Sequence, residues 1–154
     1  MRSRMKSQVF LCLLAATWLG VFGSVWAEEG PLPAPRTLVV ALDGTGDYSS
    51  LQEAVDAAKK GDIVFVKAGH YPQDVTIHSK EKIKFVGAGM DQVTILGRDT
   101  MVGALHVGKW PYGATNIEIS DMTINDRGGH AVGLFNGQGI VLRRMKINGM
   151  MFSQ

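Results

Sequence analysis

The chain has 154 residues, is 45% hydrophobic and 19% charged, and carries a formal net charge of +2, with 19 glycines and one cysteine. These values exclude a disulfide scaffold, a collagen-like fibre and a charged disordered tail. They also mix two unlike regions, which the chain order separates.

Arg2, Arg4 and Lys6 precede an apolar run from Val9 to Gly23, and Val25-Trp26-Ala27 supplies small residues where a signal peptidase reads. That three-part pattern predicts a secretory signal over 1–27, with an apolar run too short for the roughly 20 residues a membrane-spanning helix needs. Cys12 lies inside this run and leaves with it, so the remaining chain has no cysteine and does not depend on disulfides. Residues 28–154 then hold thirteen Lys or Arg against fourteen Asp or Glu, a formal charge of −1. No basic surplus remains to neutralise phosphates, so a nucleic-acid partner is not expected. Nor is a membrane partner expected once the signal is cleaved. Localisation is expected to be secreted or periplasmic.

Residues 28–36 are a proline-rich linker. Thr37 to Leu42 reads as a strand, and Asp43-Gly44-Thr45-Gly46-Asp47 as a turn. Ser50 with Glu53 three residues on is a capping box, opening a helix over 50–60 with Leu51, Ala54, Val55 and Ala58 on one face. Lys59 and Lys60 suit its carboxyl end, and Gly61 its stop. Beyond it the sequence predicts only short strands: 63–68, 75–77, 83–86, 93–96, 104–107, 117–124, 131–135 and 140–147, punctuated mostly by Gly, Asn or Asp.

Two of these segments repeat. Ile117 to Asn125 superposes without gaps on Ile140 to Asn148 at an offset of 23 residues, with Ala104 to Val107 echoing Ala131 to Leu134 more weakly. A period of that length, built of strands and turns, predicts a solenoid of about four coils over 62–154, stacked as parallel strands around an apolar interior. The helix would then cover the first coil. At the other end Met150, Met151 and Phe152 follow the last repeat directly, with no polar cap. The expectation is a fold incomplete at its carboxyl end, through which the chain self-associates or to which further coils belong.

Val39 to Val55, containing Asp43-Gly44-Thr45-Gly46-Asp47-Tyr48, resembles the opening of pectin methylesterases and other pectin lyase-like proteins, as do Gly61 to Tyr71 and Ile83 to Gly89. The resemblance implies an all-β, right-handed parallel β-helix with an amino-terminal capping helix, in agreement with the repeat. It departs from those esterases where Pro72-Gln73 replaces the x-Glu of a Gly-x-Tyr-x-Glu pattern. Motifs for their catalytic glutamine, two aspartates and arginine are not found, so no catalytic residue is carried over and none is expected to act in this chain.

The chemistry visible in the chain is mostly structural. Asp121, Asp126, Arg127, Arg143 and Arg144 are the residue types that uronan chemistry uses. The 23-residue register nevertheless sets Asp121 beside Arg144 on adjacent coils, as a salt bridge between them, and stacks Asn125 on Asn148 as a turn ladder. Asp43 and Asp47 are too few carboxylates for calcium, and Gly87-Ala88-Gly89 lacks the third glycine of a dinucleotide site. His70, His78, His106 and His130 show no metal-ligand spacing and read as surface or turn residues. Neither a metal nor a cofactor is expected.

Lys109-Trp110-Pro111-Tyr112-Gly113 differs, because the weaker echo marks it as an insertion in a turn. Trp110 and Tyr112 offer flat apolar faces to a sugar, and Lys109 a cation to a carboxylate. These three are the candidate substrate-binding residues, with pectin or another uronan as partner. The sequence thus predicts a secreted β-helix domain associated with extracellular polysaccharide. Its alternatives are the amino-terminal part of a pectin methylesterase or other pectin-active enzyme, and a non-enzymatic envelope or adhesion β-helix.

Overall fold

The computed structural model describes residues 34–98 and 103–153. The signal reading over 1–27, most of the linker and Met101 lie outside the described residues. The elements in order are β1 (Thr37–Val40), α1 (Leu51–Ala57), β2 (Ile63–Val66), β3 (Gly69–Tyr71), β4 (Val75–Ile77), β5 (Lys80–Glu81) and β6 (Lys84–Gly87). Then come β7 (Val93–Leu96), β8 (Leu105–Val107), β9 (Ala114–Thr115), β10 (Glu118–Leu134), β11 (Gly137–Gln138) and β12 (Val141–Ser153).

Every strand pairing is parallel, and each links one coil to the next. One column runs β1, β2, β6, the start of β10, and the start of β12. A second runs β3, β7, the middle of β10 and then β12. A third runs β4, β8 and the end of β10, while β5, β9 and β11 form a small separate sheet. This is the parallel solenoid of about four coils that the repeat predicted.

The columns exist because alternate side chains point inward at matching positions. Leu38, Val64, Phe85 and Ile119 stack through the first column, and Tyr71, Ile95 and Ile124 through the second. All are buried. Glu118 pairs with Val141, Met122 with Met145 and Asn125 with Asn148, which is the 23-residue register. The segments expected as separate strands at 117–124 and 131–135 are instead one long strand, β10. It turns the coil's corners by register shifts between Asn125 and His130 and between His130 and Val132.

The helix is shorter than expected. Ser50 accepts from the Glu53 N–H at 3.4 Å, as the capping box predicts, and Leu51, Ala54, Val55 and Ala58 are all buried. It ends at Ala57, however, so Lys59 and Lys60 lie outside its last turn. Asp62 explains the early stop. Its buried carboxylate takes the Lys59 N–H at 2.9 Å and the Arg36 guanidinium at 2.5 Å, so the chain turns towards it.

The departure at Pro72-Gln73 also has a structural role. Gln73 Oε1 accepts the Leu51 N–H at 2.8 Å, filling the otherwise unpaired amino end of α1. Its Nε2 reaches the Ser49 carbonyl at 3.4 Å.

Candidate functional site

The outward residues of the third column make the floor of a cleft. In register these are Thr76 of β4, His106 of β8 and Gly133 of β10, while their neighbours Val75, Leu105 and Val132 point into the core. One wall is α1. Gln52 accepts the Thr76 N–H at 2.8 Å and donates to the Thr76 carbonyl at 3.0 Å, so its amide completes the open edge of β4 as a strand would.

The other wall is the inserted loop after β8. Gly108 has a φ of +85°, and a Cβ there would fall 1.6 Å from the Phe135 carbonyl oxygen, so only glycine lets the chain leave the coil at this point. The Gly108 N–H donates to Ile77 O at 2.7 Å and the Lys109 N–H to Tyr112 O at 2.8 Å. Asn136 Nδ2 ties the Pro111 carbonyl to the next coil at 3.3 Å.

The cleft encloses about 530 Å³ and is lined by Gln52, Thr76, His78, His106, Gly108, Lys109, Trp110 and Phe135. That is room for a few sugar units. Of the three candidate residues, Lys109 and Trp110 line it. Tyr112 sits on the same loop, 60% exposed, and is not in the lining. Trp110 is 82% exposed, a large apolar ring left facing solvent. The Lys109 ammonium makes no hydrogen bond or ion pair among the described residues, so it remains available to an acid group.

Sequence reasoning missed Gln52, Thr76, His78, His106 and Phe135 as cleft residues. His106 is the largest difference. It is not an ordinary surface residue but lies on β8 with Nε2 buried, its ring stacked on Phe135 at 5.2 Å. The echo of 104–107 in 131–134 held the signal, because it sets His106 over Gly133.

Several other charged residues tie one coil to another. Arg144 donates to both oxygens of Asp121, from NH2 to Oδ2 at 2.6 Å. That guanidinium, helped by the Ser120 hydroxyl, holds the Asp121 carboxyl down at about 2. Glu118 bridges Lys84 and Arg143 at 3.5 Å each, and Lys146 reaches Asp91 at 2.7 Å. Asp126 is buried on β10, and the side chain of Arg127 lies outside the described residues.

A parallel β-helix whose outward face and inserted loop form an aromatic-edged cleft defines the class of this molecule. The pectinesterase family model matches residues 37–144, and the chain belongs to that family. It is 47% identical over 96 residues to Pectinesterase 1 of Solanum lycopersicum, covering 58% of this chain and 18% of that protein. It is 32% identical over 130 residues to Pectinesterase 2 of Citrus sinensis, covering 77% of this chain and 24% of that one. Among solved structures, pectin methylesterase from carrot superposes with a TM-score of 0.59 at 22% identity, over 79% of this chain and 44% of that chain. A pectin methylesterase variant in complex with a hexasaccharide also superposes at 0.59, with 14% identity, over 75% of this chain and 47% of that one. Both structures share the right-handed β-helix fold. The chain thus spans under a quarter of the length of these curated relatives and under half of the solved ones.

Proposed function

We propose that this chain is a secreted, polyuronide-binding β-helix domain that holds pectin in the cleft beneath Trp110. The observation that carries the reading is the exposed Trp110 ring beside the uncommitted Lys109 ammonium. The ring stacks on a sugar face, and the cation pairs with a uronate. Family membership supports pectin as the polymer, and the signal-like leader supports delivery outside the cell.

Retention on immobilised polygalacturonate tests this. The wild-type chain is expected to be retarded, and Trp110→Ala to bind about tenfold more weakly through loss of the stacking face. Equal retention of the two would remove Trp110, and with it this cleft, from saccharide binding.

A second reading has its own support in the pectinesterase match over residues 37–144. In it, the cleft is the substrate-holding part of a longer esterase. Methanol release from methyl-esterified pectin separates the two. Release by this chain would make it an enzyme in its own right, whereas binding without release leaves it a binding domain.

A further inference from the structure

The cleft floor contains a histidine in an unusual setting. Gly133 has no side chain, and a Cβ there would lie 2.9 Å from His106 Nε2 and 2.8 Å from Phe135 Cε2. The glycine is what lets both rings lie over the strand. They stack at 29° between planes, and His106 Nε2 is sealed with no hydrogen-bond partner among the described residues. The rest of the residue is half-buried and lines the cleft.

A neutral imidazole can leave one nitrogen bare at modest cost. An imidazolium cannot, because it carries a charge and two N–H donors, one of which would be sealed without an acceptor. Burial accordingly holds the His106 pKa below its ordinary 6.5, and His130 pushes it the same way. Asp74, on the β4 side, opposes them, but its carboxylate is already engaged by the Arg98 N–H at 3.0 Å and lies 3.7 Å from Arg98 Nε. The remaining groups around the ring are His78 after β4, Lys109 on the loop, and the neutral amide of Gln52 on α1, which itself holds Asp56 at 2.8 Å. None of these gives His106 an acid partner inside the cleft.

We propose that His106 is a proton-coupled carboxylate sensor: a free uronate entering the cleft draws the imidazole off Phe135 and binds it as the imidazolium, with one proton taken up from solvent. The inference rests on the polyuronide reading above and adds which form of the polymer the cleft selects. A methyl ester has no charge to offer and leaves His106 neutral on Phe135. A free acid provides the missing acceptor and raises the pKa of the bound imidazole. Between the two pKa values, affinity for the acid form rises as pH falls, by up to about tenfold per pH unit. The cleft therefore favours de-esterified stretches, and more so in acid.

Calorimetric titration of the full chain with a hexamer of galacturonic acid, from pH 5 to 8 and in two buffers of different ionisation heat, tests the proposal. Expected are uptake of up to about one proton per site and affinity at least fivefold higher at pH 5.5 than at 7.5. The fully methyl-esterified hexamer should show neither, a comparison that needs no variant. His106→Gln, checked for fold by circular dichroism, should bind the acid hexamer with a flat pH profile. Binding without proton uptake overturns this inference and leaves the polyuronide reading standing. Loss of the pH dependence in His78→Gln rather than in His106→Gln overturns it too. Absence of binding at every pH overturns both.

Discussion

At its amino-terminal end the solenoid is closed edge by edge, whereas at β12 one face of the last coil is left without a described partner. The outer edge of β1 is taken by the chain folding back on itself. Asp47 Oδ2 accepts the Val39 N–H at 2.8 Å, and the Val39 carbonyl accepts the N–H groups of Asp47 at 2.7 Å and Tyr48 at 3.1 Å. Gln52 occupies the edge of β4 in the same way, and α1 seals Leu51 and Val55 over the first coil. By contrast β12 pairs with β10 on one side, and Leu142, Met145 and Ile147 are only partly buried. A β-solenoid is quasi-one-dimensional, so an apolar residue is worth what its two neighbouring coils make of it. The same column position should therefore count fully near α1 and fractionally at β12.

The largest expected effect tests that directly. Leu51 is fully buried beneath the cap, so Leu51→Ala should cost about 3 kcal/mol in urea-induced unfolding. Ile147→Ala, in β12, should cost less, because its side chain is only partly buried against the same core. Equal losses would break the comparison and show that something covers Ile147.

Acid titration sharpens it. Each end has one carboxylate held at about 2: Asp62 by the Arg36 hydrogen bond, and Asp121 by that of Arg144. Both lie below the ordinary 3.8, so each contributes stability that is fully present above about pH 4 and is lost as pH falls through about 2. The settings differ. The Asp62 side chain is 4% exposed and also holds the Lys59 and Arg36 N–H groups, whereas the Asp121 side chain is 22% exposed beside an Arg144 at 61%. Asp62→Asn should therefore flatten the acid limb of stability more than Asp121→Asn, and only the Asp121 contribution should fade in high salt. Identical salt sensitivity would mean that the sealed end is as wet as the open one.

How much of this was legible follows from which interactions are periodic. The 23-residue repeat foretold the Met122–Met145 and Asn125–Asn148 stacks and the Asp121–Arg144 tie, because stacking coils turns a sequence offset into a spatial neighbour. The Ser50 cap was legible because its partner lies three residues away. The early end of α1 was not, since Asp62 acts there through contacts with Arg36, 26 residues distant and outside any repeat. The four short strands β3, β5, β9 and β11 were missed as well. With two or three residues each, and charged or polar members such as Lys80 and Gln138, they have no alternation to read. In the cleft, Lys109 and Trp110 were found by chemistry, whereas Gln52, Thr76 and His106 are cleft residues only through column stacking and a side-chain amide acting as a strand edge.

The smallest effect on stability carries the final test, at the open edge itself. Val141 begins β12, is 38% exposed, and pairs in register with Glu118. Val141→Lys places a charge beside that carboxylate, which already attracts Lys84 and Arg143. Folding stability should change by no more than about 0.5 kcal/mol. Association is the separate readout: were the outer edge of β12 to recruit other chains, a lysine on it would weaken that recruitment. In light scattering across a dilution series, a wild-type mass that rises with concentration beside a variant whose mass does not would show that the edge is used. A wild-type chain that stays monomeric throughout would show that β12 is not a sticky edge, and the contrast between the two ends would reduce to one of burial alone.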